Sequence, residues 1–135
     1  MKIERHVLDK ESYDASIKEL LKNPVLHRKL IVEGSVLAAT NIANLALHIS
    51  GKIKEQADLK HNKIEGTILR ENIFGEKSFE ISRLFRSLED LKYKVVHGSS
   101  DSKEDAEKSF SVYGSILEYF LAVEPGLKEV LGGKI

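Results

Sequence analysis

The chain has 135 residues, 41% hydrophobic and 31% charged, with 21 Lys and Arg against 21 Asp and Glu and no cysteine. That length fits one domain with a real core, the composition excludes a disordered tail, and the missing cysteines exclude disulfides and thiolate chemistry. A formal net charge of zero gives the whole molecule no electrostatic preference for nucleic acid, so any such case must come from local clusters. Near Met1 there are Lys and Arg but no following apolar run of the signal-peptide kind, and a cytoplasmic location is expected. The longest apolar-rich run, 36–49, is interrupted by Thr40, Asn41, Asn44 and His48. It is too polar and too short to span a bilayer, so no membrane association is expected.

The pattern predicts a first helix, most secure over 10–22, with Ile17, Leu20 and Leu21 as its apolar side and Asn23-Pro24 as its stop. A second helix is predicted over about 25–50, with Pro24 in its first turn. Leu30, Ile31, Ala38, Ile42, Leu45, Ala46 and Ile49 mark one face, and Val36, Ala39, Ala43 and Leu47 widen it. Such a helix lies in the middle of a bundle or supplies an intersubunit seam. Gly34, Ser35 and the alanines permit close helix approach. Asn41 and Asn44, on the narrow polar strip, are expected to hydrogen-bond between helices.

Residues 52–63 read as a frayed end and surface loop, and 64–73 as a short helix anchored by Ile68 and Leu69. The stretch 76–99, EKSFEISRLFRSLEDLKYKVVHGS, carries Ile81, Leu84, Phe85, Leu88, Leu91 and Val95 at helical spacing. These fall within an arc of roughly 120°, while His97 projects roughly 180° from its centre and Arg83, Arg86 and Lys94 cluster on the same opposite side. Gly98 and the polar residues after it stop the helix as a C′ glycine would. Ser102 and Asp105 open a last helix in capping-box fashion. Ala106, Phe110, Tyr113, Leu117, Phe120 and Leu121 form its stripe, and Pro125-Gly126 break it. With no strand periodicity, the fold expected is all-α: an antiparallel four-helix bundle with a short extra helix. It is one domain, 1–135, with its core over about 10–124 and a loose tail over 125–135.

The five histidines, His6, His27, His48, His61 and His97, show neither an i, i+4 pair nor HExxH, and are expected to be separate surface or packing residues. No metal and no cofactor is predicted. Nucleophile-elbow, phosphate-loop and dinucleotide motifs are absent.

The segment KYKVVHGS, 92–99, places a cation, four residues, then a histidine at a helix end. It resembles the motif of the HEPN superfamily (higher eukaryote and prokaryote nucleotide-binding), and within it the HepT-like branch, the partners of minimal nucleotidyltransferases in toxin–antitoxin pairs. That motif is an arginine, four to six residues, then a histidine, often RNxxVHxY. NPVLHRKL (23–30) is similar to the start of the branch's long second helix and ATNIANLAL (39–47) to its small-residue segment. LEDLKYKVVHGSSDSKEDAEKSFSVYGSILEYF (88–120) follows its motif, loop and last helix. The resemblance implies a HEPN-like bundle, a homodimer through the second and fourth long helices, and a metal-independent endoribonuclease. In such an enzyme His97 would move the proton of a ribose 2′-OH and Lys92 would hold the family arginine's place beside the phosphate.

Arg83, Arg86 and Lys94 are expected to bind RNA. The departures are Lys92 for arginine, which removes the bidentate guanidinium fork, Ser99 where the branch has a tyrosine, and Asn41 and Leu37 where it has an aspartate and a glutamate. They leave a second expectation beside the first: a catalytically degenerate HEPN domain that acts as an interaction module, for example with a small nucleotidyltransferase. A histidine at a helix C-terminus is also favoured simply by the helix dipole.

Overall fold

Helix-favouring sequence with apolar residues three and four apart gives an all-helical chain in the computed structural model, which describes residues 2–53 and 58–132. Helix α1 is Lys2–Leu20, α2 is Arg28–Ile49, α3 is His61–Arg70 and α4 is Lys77–Lys92. A π-helical turn, Tyr93–His97, continues α4, and α5, Lys103–Val123, and α6, Pro125–Val130, complete the bundle. No strand occurs among the described residues. Helix α1 extends N-terminal of its most secure stretch, and two boundaries differ from expectation: α3 runs earlier than 64–73, and Pro24 lies in a turn before α2 rather than within its first turn.

The central position of α2 follows from its apolarity. Ile31, Val32, Val36 and every residue from Asn41 to Leu47 are buried, against α1, α5 and α4. By length and composition α2 could cross a membrane, but most of that surface is buried inside the bundle. Small residues set its spacing from its neighbours. A Cβ on Gly34 would come 3.2 Å from Ile17 Cγ1, and Ser35 and Ser109, both fully buried, meet across α2 and α5.

The α4 stripe is buried as its periodicity predicts, with Leu84 at its margin. The α5 stripe is rotated from the expected one. Ala106, Ser109, Val112, Tyr113, Ile116 and Phe120 are buried, whereas Phe110, Leu117 and Leu121 are only partly covered. Small Ser109 lets α5 close on α2, and that contact, not the bulk of Phe110, sets the inner face.

Helix α1 turns polar residues inward. His6, Lys10, Asp14 and Ile17 recur at three- and four-residue steps, and His6, Lys10 and Ile17 are buried. Lys10 Nζ donates to Asp14 Oδ2 at 2.6 Å, and Tyr113 Oη donates to Asp14 Oδ1 at 2.7 Å. Burial first, and then the Asp14 carboxylate, push the Tyr113 phenol far above its ordinary range, so it remains a hydrogen-bond donor. Asn41 bonds between helices as predicted, whereas Asn44 bonds to the segment before α3. Asn41 Nδ2 donates to the His6 carbonyl at 2.7 Å, and Asn44 holds both backbone polar groups of Leu59, at 2.8 and 2.9 Å.

The chain after Pro125 is not a loose tail as far as residue 132. Leu127 and Leu131 are buried in the main core, and Pro125 starts α6 at a position that needs no N–H donor. Helix α6 sits so close to α2 that a Cβ on Gly126 would lie 2.9 Å from Ile49 Cγ2. Residues 133–135 of the predicted tail, and 54–57 of the predicted 52–63 loop, lie outside the described residues.

Candidate functional site at the end of helix α4

The change from α to π winding decides what the end of α4 presents. In an α-helix, residues five apart stand about 140° from one another, which would separate Lys92 from His97. The wider π turn over Tyr93–His97, with its i→i+5 bonding, returns residue 97 toward residue 92. Both line one surface groove of about 390 Å³, together with Glu65, Arg86, Glu89, Asp90 and Tyr93. Isolated π turns inside helices recur at functional sites.

Gly98 makes this ending possible, though not as a left-handed C′ residue. Its φ is −102°, and the constraint is space: a Cβ there would stand 2.5 Å from the Lys94 carbonyl oxygen. The chain then doubles back, and Ser100 N donates to that same carbonyl. Arg28 Nε donates to the Ser100 carbonyl at 3.2 Å, tying the loop to the start of α2.

The groove mixes charges. Arg86 faces Glu65 at 3.3 Å and Asp90 at 3.7 Å, so its guanidinium is already partnered. His61 Nδ1 lies 2.8 Å from Glu89 Oε1. Lys92 and His97 make no hydrogen bond or ion pair among the described residues, and His97 is exposed. Lys92 also lines a smaller cleft of about 110 Å³ with Glu33, Val36, Leu37 and His61. It therefore sits between the groove and α2, whose Leu30 and Leu37 are exposed.

Two of the expected RNA-binding residues stand elsewhere. Arg83 is exposed and pairs with Glu80 at 3.6 Å, and it does not line the groove. Lys94 projects to a neighbouring depression with Ser87, Asp90, Leu91, Asp105 and Lys108, and pairs with Asp105 at 3.1 Å. Asn41 is buried against His6 rather than in the groove. Glu65, Glu89, Asp90 and Tyr93 were not expected at the site. Glu89, Asp90 and Tyr93 adjoin the motif in sequence, whereas Glu65 comes from α3 and no local pattern marks it.

Asp105 holds the loop together. It accepts from Lys94 and from Ser100 Oγ at 2.9 Å, and Ser102 Oγ caps its backbone N–H. The Lys94 hydrogen bond, then that of Ser100, lower its pKa below the ordinary 3.8. A lowered folded-state pKa stabilises the fold above the unfolded value and loses that contribution as pH falls below it. Asp105→Asn is therefore expected to be less stable than wild type near neutrality, with the gap closing below about pH 4. Paired urea melts at pH 7 and pH 3 check this, and a gap unchanged between them would refute it. The Lys94 amine is largely in solvent, so the gap should be small.

The histidines are not all separate. His6, His48 and Asp58 converge, with one potential ligand atom from each within 4.8 Å of the others. Nothing in the sequence spacing flags this trio, because its members come from three segments. No family model, curated protein or solved structure matches the chain, so its chemistry rests on this geometry.

Proposed function

We propose that the chain is a HEPN-like, RNA-cleaving or RNA-binding protein, toxin-like in the manner of the HepT branch, with its site in the α4 groove. The observation that carries this is the pairing of Lys92 and His97 on one open groove at a helix end. A neutral imidazole there takes the proton of a ribose 2′-OH as that oxygen attacks the adjacent phosphorus. The 5′ oxygen leaves with a proton from water or a second imidazole, giving a 2′,3′-cyclic phosphate and a 5′-hydroxyl end. Lys92, the groove cation without a carboxylate partner among the described residues, offsets the charge building on the phosphoryl oxygens. Arg86 supplies a second cation once phosphate competes with Glu65 and Asp90 for it. The protein would act in the cytoplasm as an antiparallel four-helix HEPN bundle that dimerises over exposed Leu26, Leu30, Leu37 and Tyr93, each copy adding a groove to a shared cleft.

The test is cleavage of a mixed set of end-labelled RNAs in EDTA, with end-group analysis of the products. Lys92→Arg restores a bidentate fork for phosphate and is expected to raise the cleavage rate roughly tenfold, about 1.4 kcal/mol of transition-state binding. A lower rate in a folded Lys92→Arg variant counts against a phosphate-facing role.

The three carboxylates in the groove favour a second reading, since they oppose a polyanion. In it the domain is a catalytically degenerate interaction module, with a small nucleotidyltransferase as one candidate partner. Absence of cleavage by folded, dimeric protein would select it.

A further inference from the structure

The trio of His6, His48 and Asp58 is built, not incidental. His6 lies on α1, His48 near the end of α2, and Asp58 in the extended segment before α3. Both histidine side chains are at least nine-tenths buried. Asn44 fixes Leu59 through its N–H and its carbonyl, which holds the preceding Asp58 over the histidines. Asp58 Oδ1 stands 2.6 Å from His48 Nε2 and 3.2 Å from His6 Nε2.

The protons tell more. Asn41 Nδ2 donates to the His6 carbonyl, which turns Asn41 Oδ1 toward His6 Nδ1. An amide oxygen only accepts, so Nδ1 of His6 carries the proton. In a neutral His6, Nε2 is then a bare lone pair facing a carboxylate oxygen. Satisfying both Asp58 contacts with protons takes two, one of them creating a buried imidazolium. A single divalent ion satisfies all three donors at once.

We infer that His6, His48 and Asp58 bind a divalent first-row transition metal ion that joins α1, the end of α2 and the segment before α3. Two imidazole nitrogens and one carboxylate suit zinc and its neighbours rather than calcium or magnesium. Ligands about 2.0–2.1 Å from zinc at tetrahedral angles stand about 3.3 Å apart; Asp58 Oδ1 already stands 2.6 and 3.2 Å from the two imidazoles, and the three donors lie within 4.8 Å of one another. Small side-chain rotations complete the set, leaving a position for water. Asn41 acts as the outer partner that orients a metal-bound histidine. His48 Nδ1 has no such partner among the described residues, so His6 is the better oriented of the two.

None of the three residues lines the α4 groove, and His48 lies about 16 Å along α2 from Leu37, which lines the smaller cleft beside Lys92.

The experiment uses untagged, full-length protein stripped with EDTA and dialysed, then titrated with zinc chloride by calorimetry and with cobalt(II) by visible absorption. One ion per chain is expected, with a zinc-dependent rise in Tm. In Asp58→Asn and His48→Gln, Kd should weaken at least tenfold and the cobalt spectrum should be lost, while His27→Ala binds as wild type does. No zinc uptake by wild type, or unchanged uptake by folded Asp58→Asn, overturns the proposal. Asp58→Asn keeps the side chain's shape at a partly exposed position, so it decides the matter should His48→Gln fail to fold. Since the metal would also stabilise the fold, the cleavage assay in EDTA should be run on protein shown to be helical under the same conditions.

Discussion

His97→Ala is expected to lower RNA cleavage by about 10²–10⁴-fold, the usual worth of a positioned proton-transfer group. The loss should fall on kcat, because an imidazole that only moves a proton contributes little to holding RNA. Stability should hardly change. His97 is exposed and makes no hydrogen bond or ion pair among the described residues, and removing such a side chain typically alters stability by less than about 0.5 kcal/mol. That separation gives the experiment its force, since a dead but equally stable variant cannot be explained by unfolding. Combining His97→Ala with Lys92→Ala should cost little more than His97→Ala alone if both act in one step. Equal cleavage by wild type and His97→Ala would remove His97 from the chemistry and point to a contaminant.

The parts of this fold governed by apolar periodicity could be read from the sequence. Ile81, Phe85, Leu88, Leu91 and Val95 are buried where the helical phase puts them, and the long apolar α2 is central because only the interior of a bundle can cover so much of its surface. What could not be read is where polar side chains replace apolar ones as the packing face. His6, Lys10 and Asp14 sit at helical spacing on α1, yet a hydrophobic count scores that face as solvent. Leu8, which the count favours, is exposed instead. The reason is that Tyr113, Asn41 and Asp58 come from other segments and supply the partners that make this burial affordable.

The same holds at the candidate site. Helical phase separated Lys92 from His97, and it grouped Arg83 and Lys94 with the histidine, because it assumed 100° per residue to the end. A π turn breaks that assumption within five residues. The local cause is visible only in three dimensions: the chain after Gly98 reverses so tightly that its backbone packs against the Lys94 carbonyl. Glu65 enters the groove from α3 and adds a third carboxylate to those of Glu89 and Asp90. Sequence therefore placed His97 and Gly98 at the end of this helix, but not the company they keep.

Phe120→Ala is expected to destabilise the protein by about 3–5 kcal/mol, the range for emptying a buried aromatic position. Phe120 is fully buried on α5. Its ring meets Phe74 edge-on at 5.4 Å and Phe85 at 6.4 Å, so one side chain joins α5 to α4 and to the turn between α3 and α4. Against a typical total of about 5–15 kcal/mol, that loss is large, and it corresponds to a fall in Tm on the order of 10–15 °C. Urea melts should show a lower midpoint with an unchanged slope, since the surface exposed on unfolding stays the same. Phe120→Leu keeps most of the burial but gives up the edge-to-face contacts, worth about 0.5–1.5 kcal/mol per pair, and should fall between wild type and Phe120→Ala. Phe79→Ala is the control, because Phe79 on the same bundle is more than half exposed and should cost under about 0.5 kcal/mol. If Phe79→Ala destabilises the protein as much as Phe120→Ala does, then Phe79 is covered in solution by another surface, and a concentration-dependent Tm would identify it as a second copy of the chain.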